Sequence, residues 1–131
     1  MENSIAFEYN RSSKILFAED NWNIKTKEDV DAFFAEYARR IASIPEKFWL
    51  VAHIDGLAIH ADIAEYYGEA ARKATCEQLL GLARWGKDSA SRMAIRTTAM
   101  KAKMPGVIYS TREEAVSAIE KMRAEQATDR R

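Results

Sequence analysis

Phe48-Trp49-Leu50-Val51-Ala52-His53-Ile54 runs directly into Asp55-Gly56, and this stretch decides the fold. A segment apolar at every position except His53 lacks the in-and-out alternation of a strand with one wet face. It reads as an inner strand covered on both sides. Asp55-Gly56 reads as the turn that closes it. A strand of that kind belongs in a parallel sheet, and parallel neighbours need crossovers, so helices and strands should alternate around it.

Upstream, Ile5, Phe7 and Tyr9 alternate with polar residues, residues 10–13 have turn composition, and residues 14–18 resume in strand-like fashion. These form a predicted β-hairpin. Asn21-Trp22-Asn23 reads as a polar loop around one aromatic. Thr26, with Asp29 three positions on, has capping-box spacing, and Val30, Phe33, Phe34, Tyr37 and Ile41 then share one helical face until Pro45 forbids continuation.

Downstream, Asp62 and Glu65 suggest a second capped start, for a helix carrying Ile63, Tyr66, Tyr67, Ala70 and Ala74. In residues 78–85, Leu79, Leu80 and Leu82 suit either a helix or a strand, and Gly81 and Gly86 tip the reading to a strand. Asp88 or Ser89 caps a third helix, with Ala90, Met93, Ala94, Thr97, Met100 and Met104 on one face and Pro105-Gly106 as the stop. Residues 107–109 read as a short strand. Ser110 or Thr111, with Glu113 or Glu114, caps a last helix that turns Ala115, Ile119 and Met122 inward and should fray from Glu125. The expected fold class is a single-domain α/β fold: an N-terminal hairpin, then alternating helices and strands in a mixed sheet with parallel inner strands.

The 131 residues suit one domain spanning 1–131, and twenty bases balance twenty acids, so bulk charge draws the chain neither to nucleic acid nor to anionic membrane. The first fourteen residues lack a basic start and a long apolar run, and no apolar stretch is long enough to span a bilayer. A cytoplasmic protein without a membrane span is expected. The lone Cys76 excludes an internal disulfide.

The strand ending in His53-Ile54-Asp55-Gly56-Leu57, the helix opening at Asp62, and the closing segment from Val107 through Ser110, Thr111, Glu113 and Glu114 to Ile119 resemble the STAS-like (anti-sigma-factor-antagonist-like) family, in its bacterial SpoIIAA-like branch. The resemblance covers nearly the whole chain. It implies a STAS-like fold and a cytosolic regulatory module that binds proteins, or in some members small ligands, through the loop after the central strand and the helix that follows. In signalling members a serine at the start of that helix is phosphorylated. Residues 56–62 here contain no hydroxyl, so Ala61 or Asp62 occupies the matching place. No serine phospho-switch is expected, and Asp62 reads either as a standing negative charge or as a helix cap.

Other activities find little support in the residues. Gly81 to Lys87 matches P-loop spacing, but its intervening residues are bulky and Asp88 stands where a hydroxyl should hold magnesium. His53, His60 and Cys76 are too few for a metal site, and His53 reads as a hydrogen-bonded core residue. No catalytic residue, metal or cofactor is expected, and a hydrolase is the least favoured function. Residues 84–103 hold six bases against the single acid Asp88, with Arg92, Arg96 and Lys103 on one helical face opposite Met93 and Met100. Few aromatics accompany them, which disfavours nucleic acid. Sites in parallel sheets collect beyond the carboxyl ends of the strands. The candidate binding residues are therefore Asp55, His60, Asp62, Tyr66, Arg84, Trp85, Lys87, Arg92 and Arg96. The expected partner is a protein or an anionic or apolar small ligand. A small-molecule or lipid carrier using the apolar underside of the Tyr66-Tyr67 helix is the alternative, and homodimerisation stays open.

Overall fold

Alternating apolar residues at the start of the chain make an edge hairpin: β1 (Ser4–Asn10) turns Ile5, Phe7 and Tyr9 to one side and pairs antiparallel with β2 (Ile15–Ile24). This computed structural model describes residues 3–74, 77–103 and 106–129; the expectations for Cys76, Met104 and Pro105 lie outside them. β2 then pairs parallel with β3 (Phe48–Ile59), β3 with β4 (Leu79–Trp85), and β4 with β5 (Ile108–Tyr109), giving the sheet order β1-β2-β3-β4-β5. The chain is thus a single α/β domain with a mixed sheet and parallel inner strands, as its sequence predicts.

Because each parallel strand is laid beside the last in one direction, crossovers of one hand put their helices on one face. α1 (Lys27–Ile41), α2 (Ala64–Ala74) and α3 (Ser89–Ala102) lie there, packing Val30, Phe33, Tyr37, Tyr67 and Ile95 onto Ile24, Ile54 and Leu57. α4 (Arg112–Asp129) covers the other face, where Ala115 and Ile119 meet Trp49, Val51 and Ala83. The central run is covered on both sides as predicted, with Phe48, Trp49, Val51 and Ile54 all buried. The Thr26 capping box forms as read: the Thr26 hydroxyl accepts from the Asp29 amide, and the Asp29 carboxylate accepts from the Thr26 amide. At the start of α4 the Thr111 hydroxyl accepts from the Glu114 amide and donates to the Glu114 carboxylate. Among the described residues no helix is long and apolar enough to cross a membrane.

Several local expectations are corrected. Asp55-Gly56 does not close β3, which continues to Ile59; nor are residues 21–23 a loop, since Trp22 and Asn23 pair with Leu57 and Ala58. The two extensions hold each other, and between them the register slips around Asp20, where a bulge is needed. A Cβ on Gly56 would fall 1.8 Å from Asn21 Oδ1 and 3.0 Å from the Asp20 carbonyl oxygen, so a side chain there would displace the Asn21 amide and crowd the bulge. Gly81 to Trp85 is a strand, so the P-loop spacing frames no phosphate-cradling loop. α4 continues to Asp129 instead of giving out at Glu125.

α3 is rotated relative to its predicted face. Ser91, Ile95, Thr98, Ala99 and Ala102 are buried, while Met93 and Met100 stand 68% and 78% exposed. Two local needs outweigh hydrophobicity here. The Ser91 hydroxyl donates to the Leu57 carbonyl at 2.8 Å and lies 3.2 Å from the Asp55 carbonyl, satisfying acceptors at the bulged end of β3. Small residues also let α2 and α3 approach closely: a Cβ on Gly68 would lie 2.6 Å from that of Ala102.

Candidate functional site

Between the sheet and the helices α1 and α2 lies a pocket with an enclosed volume of about 70 Å³ that opens outward. Phe33, Phe34 and Ile41 of α1, Leu50 and Ala52 of β3, Tyr67 and Ala71 of α2, and Leu79 and Leu82 of β4 make it largely apolar. Its existence follows from side-chain size. Ala52 on β3 and Ala71 on α2 stand where larger residues would fill the space. An engineered apolar cavity of about 150 Å³ holds benzene, so the enclosed part takes about three heavy atoms and a longer ligand would reach the mouth.

Polar groups converge on this apolar space. Asp20 is 4% exposed, and its Oδ1 accepts a hydrogen bond of 2.5 Å from the Tyr37 hydroxyl. Burial pushes the Asp20 carboxyl up to about 7, against the opposing pull of the Tyr37 hydrogen bond and the positive charge of Arg84. Burial likewise drives the Tyr37 phenol well above its ordinary value, with Asp20 reinforcing the effect, and raises the Tyr67 phenol. Arg84 lies in register with Ala52 and lines the same pocket, half-buried. Its guanidinium acts on Asp20 through space, yet forms no ion pair or hydrogen bond among the described residues.

The predicted binding residues do not share one face. Arg84 turns into the pocket, whereas its neighbour Trp85 points to the opposite side of the sheet and stacks on His53 with ring centroids 3.8 Å apart and planes 3° apart. His53 is therefore no enclosed core residue: its Nε2 lies 3.1 Å from Asp55 Oδ2 and its Nδ1 3.7 Å from Glu19 Oε1, on a partly open face. Asp55 anchors the entry to α3, accepting from the Lys87 and Asp88 amides. Burial works against its charge, but those amides and His53 hold its carboxyl below the usual range. His60 and Asp62 are exposed at a single 3₁₀ turn, Ala61–Ile63, that precedes α2. Asp62 lies inside that turn, so it is not the helix cap that its spacing with Glu65 suggests. Tyr66 donates to Asp31 at 2.8 Å on the surface between α2 and α1.

The basic face is also divided. Arg92 is half-buried and donates to the carbonyls of Gly86 at 2.6 Å and of Ile108 and Tyr109 at 3.2 Å each, tying α3 to the β5 edge; Arg96 is exposed. Arg92→Ala is expected to cost about 1.5–3 kcal/mol in urea unfolding because charged hydrogen bonds to buried carbonyls are lost. Arg96→Ala should stay within about 0.5 kcal/mol. Equal effects would show that Arg92 is not an anchor.

Sequence reading missed Asp20 and the Tyr37 hydroxyl. The signal was present: Leu16, Ala18 and Asp20 fall on one face once β2 is continued through Asp20. Among the described residues no group of three or more His, Cys, Asp or Glu is placed to hold a metal ion. No family model matches the chain, and no curated protein is significantly similar to it.

Proposed function

We propose that the protein is a non-enzymatic binding module that takes a small, chiefly apolar ligand into the pocket between its sheet and α1 and α2. The observation that carries this reading is an open apolar pocket whose lining groups include a buried Asp20–Tyr37 pair and a guanidinium, that of Arg84, with no hydrogen bond or ion pair among the described residues. Pockets with few, convergent polar groups on apolar walls suit small-molecule recognition. The test is titration with 1-hexanol followed by methyl NMR. Saturable shifts at Leu50 and Leu82, with a Kd of about a millimolar as expected for so few heavy atoms, would support the reading. Ala52→Leu, which extends a side chain into the space, should abolish them. Shifts confined to the Trp85 face or to α3, or none at all, would overturn it.

Docking of a protein partner is a second reading, favoured by one observation: Met93 and Met100 stand exposed on the outer side of α3 with the exposed Arg96 between them in sequence. A partner captured by the wild type and equally by Met93→Ser/Met100→Ser would remove it.

A further inference from the structure

The pocket's polar groups define the chemistry of its ligand, an inference that rests on the binding reading above. Arg84 carries a charge that no protein environment removes, and its planar fork of donors matches two coplanar oxygens. Among the described residues that fork has no hydrogen-bond or ion-pair partner. The Arg84 residue is half-buried at the pocket's lining, so an anion that pairs with it there meets Coulomb attraction less screened than in bulk water.

Asp20 would be the obvious counter-ion, but it does not pair with Arg84; its Oδ1 takes the Tyr37 hydroxyl instead. With its carboxyl pushed up to about 7, Asp20 is mostly protonated at pH 6 and supplies little negative charge there. The charged and titratable groups that act on it are Tyr37 from α1, Tyr67 from α2, Arg84 from β4 and, more weakly, His53 from β3. Both phenols are held neutral by burial, so the charge that dominates the pocket is that of Arg84. An amine would meet this cation directly and be repelled. A dianionic phosphate would ask for more donors than one arginine offers, whereas a carboxylate needs one fork.

We infer that the ligand is a monocarboxylic acid, its carboxylate paired with the Arg84 guanidinium and its hydrocarbon part lying against Leu50, Leu82 and Phe34. The enclosed volume accommodates about three heavy atoms, by comparison with a benzene-sized cavity of about 150 Å³. A longer tail would pass between Ile41 and Ala74, where the pocket's lining reaches the ends of α1 and α2.

Hexanoate, 1-hexanol and hexylamine share a chain and differ in the head, so their affinities at pH 6, measured by methyl NMR, test the inference. Hexanoate is expected to bind at least about tenfold more tightly than 1-hexanol, and hexylamine more weakly than either. Arg84→Gln should abolish the preference, with hexanoate and 1-hexanol binding equally when both are measured on that variant, and Arg84→Lys should restore part of the preference. Equal binding of acid and alcohol to the wild type would overturn the inference and leave the pocket standing as a binding site. A preference that survives Arg84→Gln would also overturn it. Absence of binding by all three would remove the inference together with the binding reading. The wild-type ratio decides even if the Arg84 variants fail to fold.

Discussion

Phe33→Ala is expected to lower the unfolding free energy by about 3–5 kcal/mol, the range for deleting a ring from a closed core. Phe33 is 1% exposed and sits at the centre of an aromatic cluster, with Trp22, Phe34 and Tyr37 edge-on at 5.6, 5.1 and 5.3 Å and Tyr67 tilted at 5.9 Å. No single neighbour can move into the space without breaking contacts with the others. Phe34 falls on the same predicted face but is only half-buried, so Phe34→Ala should cost clearly less. Urea midpoints of the two variants measure the difference. Equal losses, or a Phe33 loss below about 1 kcal/mol, would show that the α1–sheet interface is not the core.

Asp20→Asn should change the pH dependence of stability by a comparable amount. The folded carboxyl, near 7, lies far above its ordinary value of 3.8. Between those values the folded chain holds a proton that the unfolded chain has released, so stability falls as pH rises. The contribution is fully present below about 4 and lost once pH passes about 7, with a slope approaching 1.4 kcal/mol per pH unit between. An amide at this position still accepts from Tyr37 and does not titrate. Between pH 5 and pH 8 the stability difference between variant and wild type should therefore move by about 3 kcal/mol in favour of the variant, two units of the steep window. Any constant cost of burying the amide cancels in that comparison. Urea unfolding at the two pH values supplies the numbers, and a difference that does not move would mean that Asp20 is ionised in the fold throughout.

Much of the architecture was readable because it rests on local rules. The Thr26–Asp29 box, the Val30 to Ile41 face and the unbroken 48–54 run each express a spacing that elementary geometry fixes, and each appears in the fold. Errors arose where a distant partner outweighed the local signal. Trp22 and Asn23 have loop composition, yet β3 offers them Leu57 and Ala58 as neighbours, and a parallel ladder satisfies backbone groups that a loop would leave to water. Met93 and Met100 have core composition, yet the carbonyls of Asp55 and Leu57 draw in Ser91 and the close approach of α2 draws in Thr98 and Ala102, which turns the methionines outward.

The candidate site divides in the same way. Sequence alone determined that the chain is one α/β domain and that Arg84 lies near the carboxyl end of a strand. It could not determine which side of the sheet Arg84 faces, because the 78–85 segment gives no clean alternation and β4 carries an extra residue opposite Phe48 and Trp49. Tertiary structure alone brought Asp20, Tyr37, Tyr67 and Arg84, from four different elements, around one cavity. Those contacts join residues 17 to 64 positions apart in sequence, and burial, which raises the Asp20 carboxyl, is a property of the packed layers and not of any segment within them.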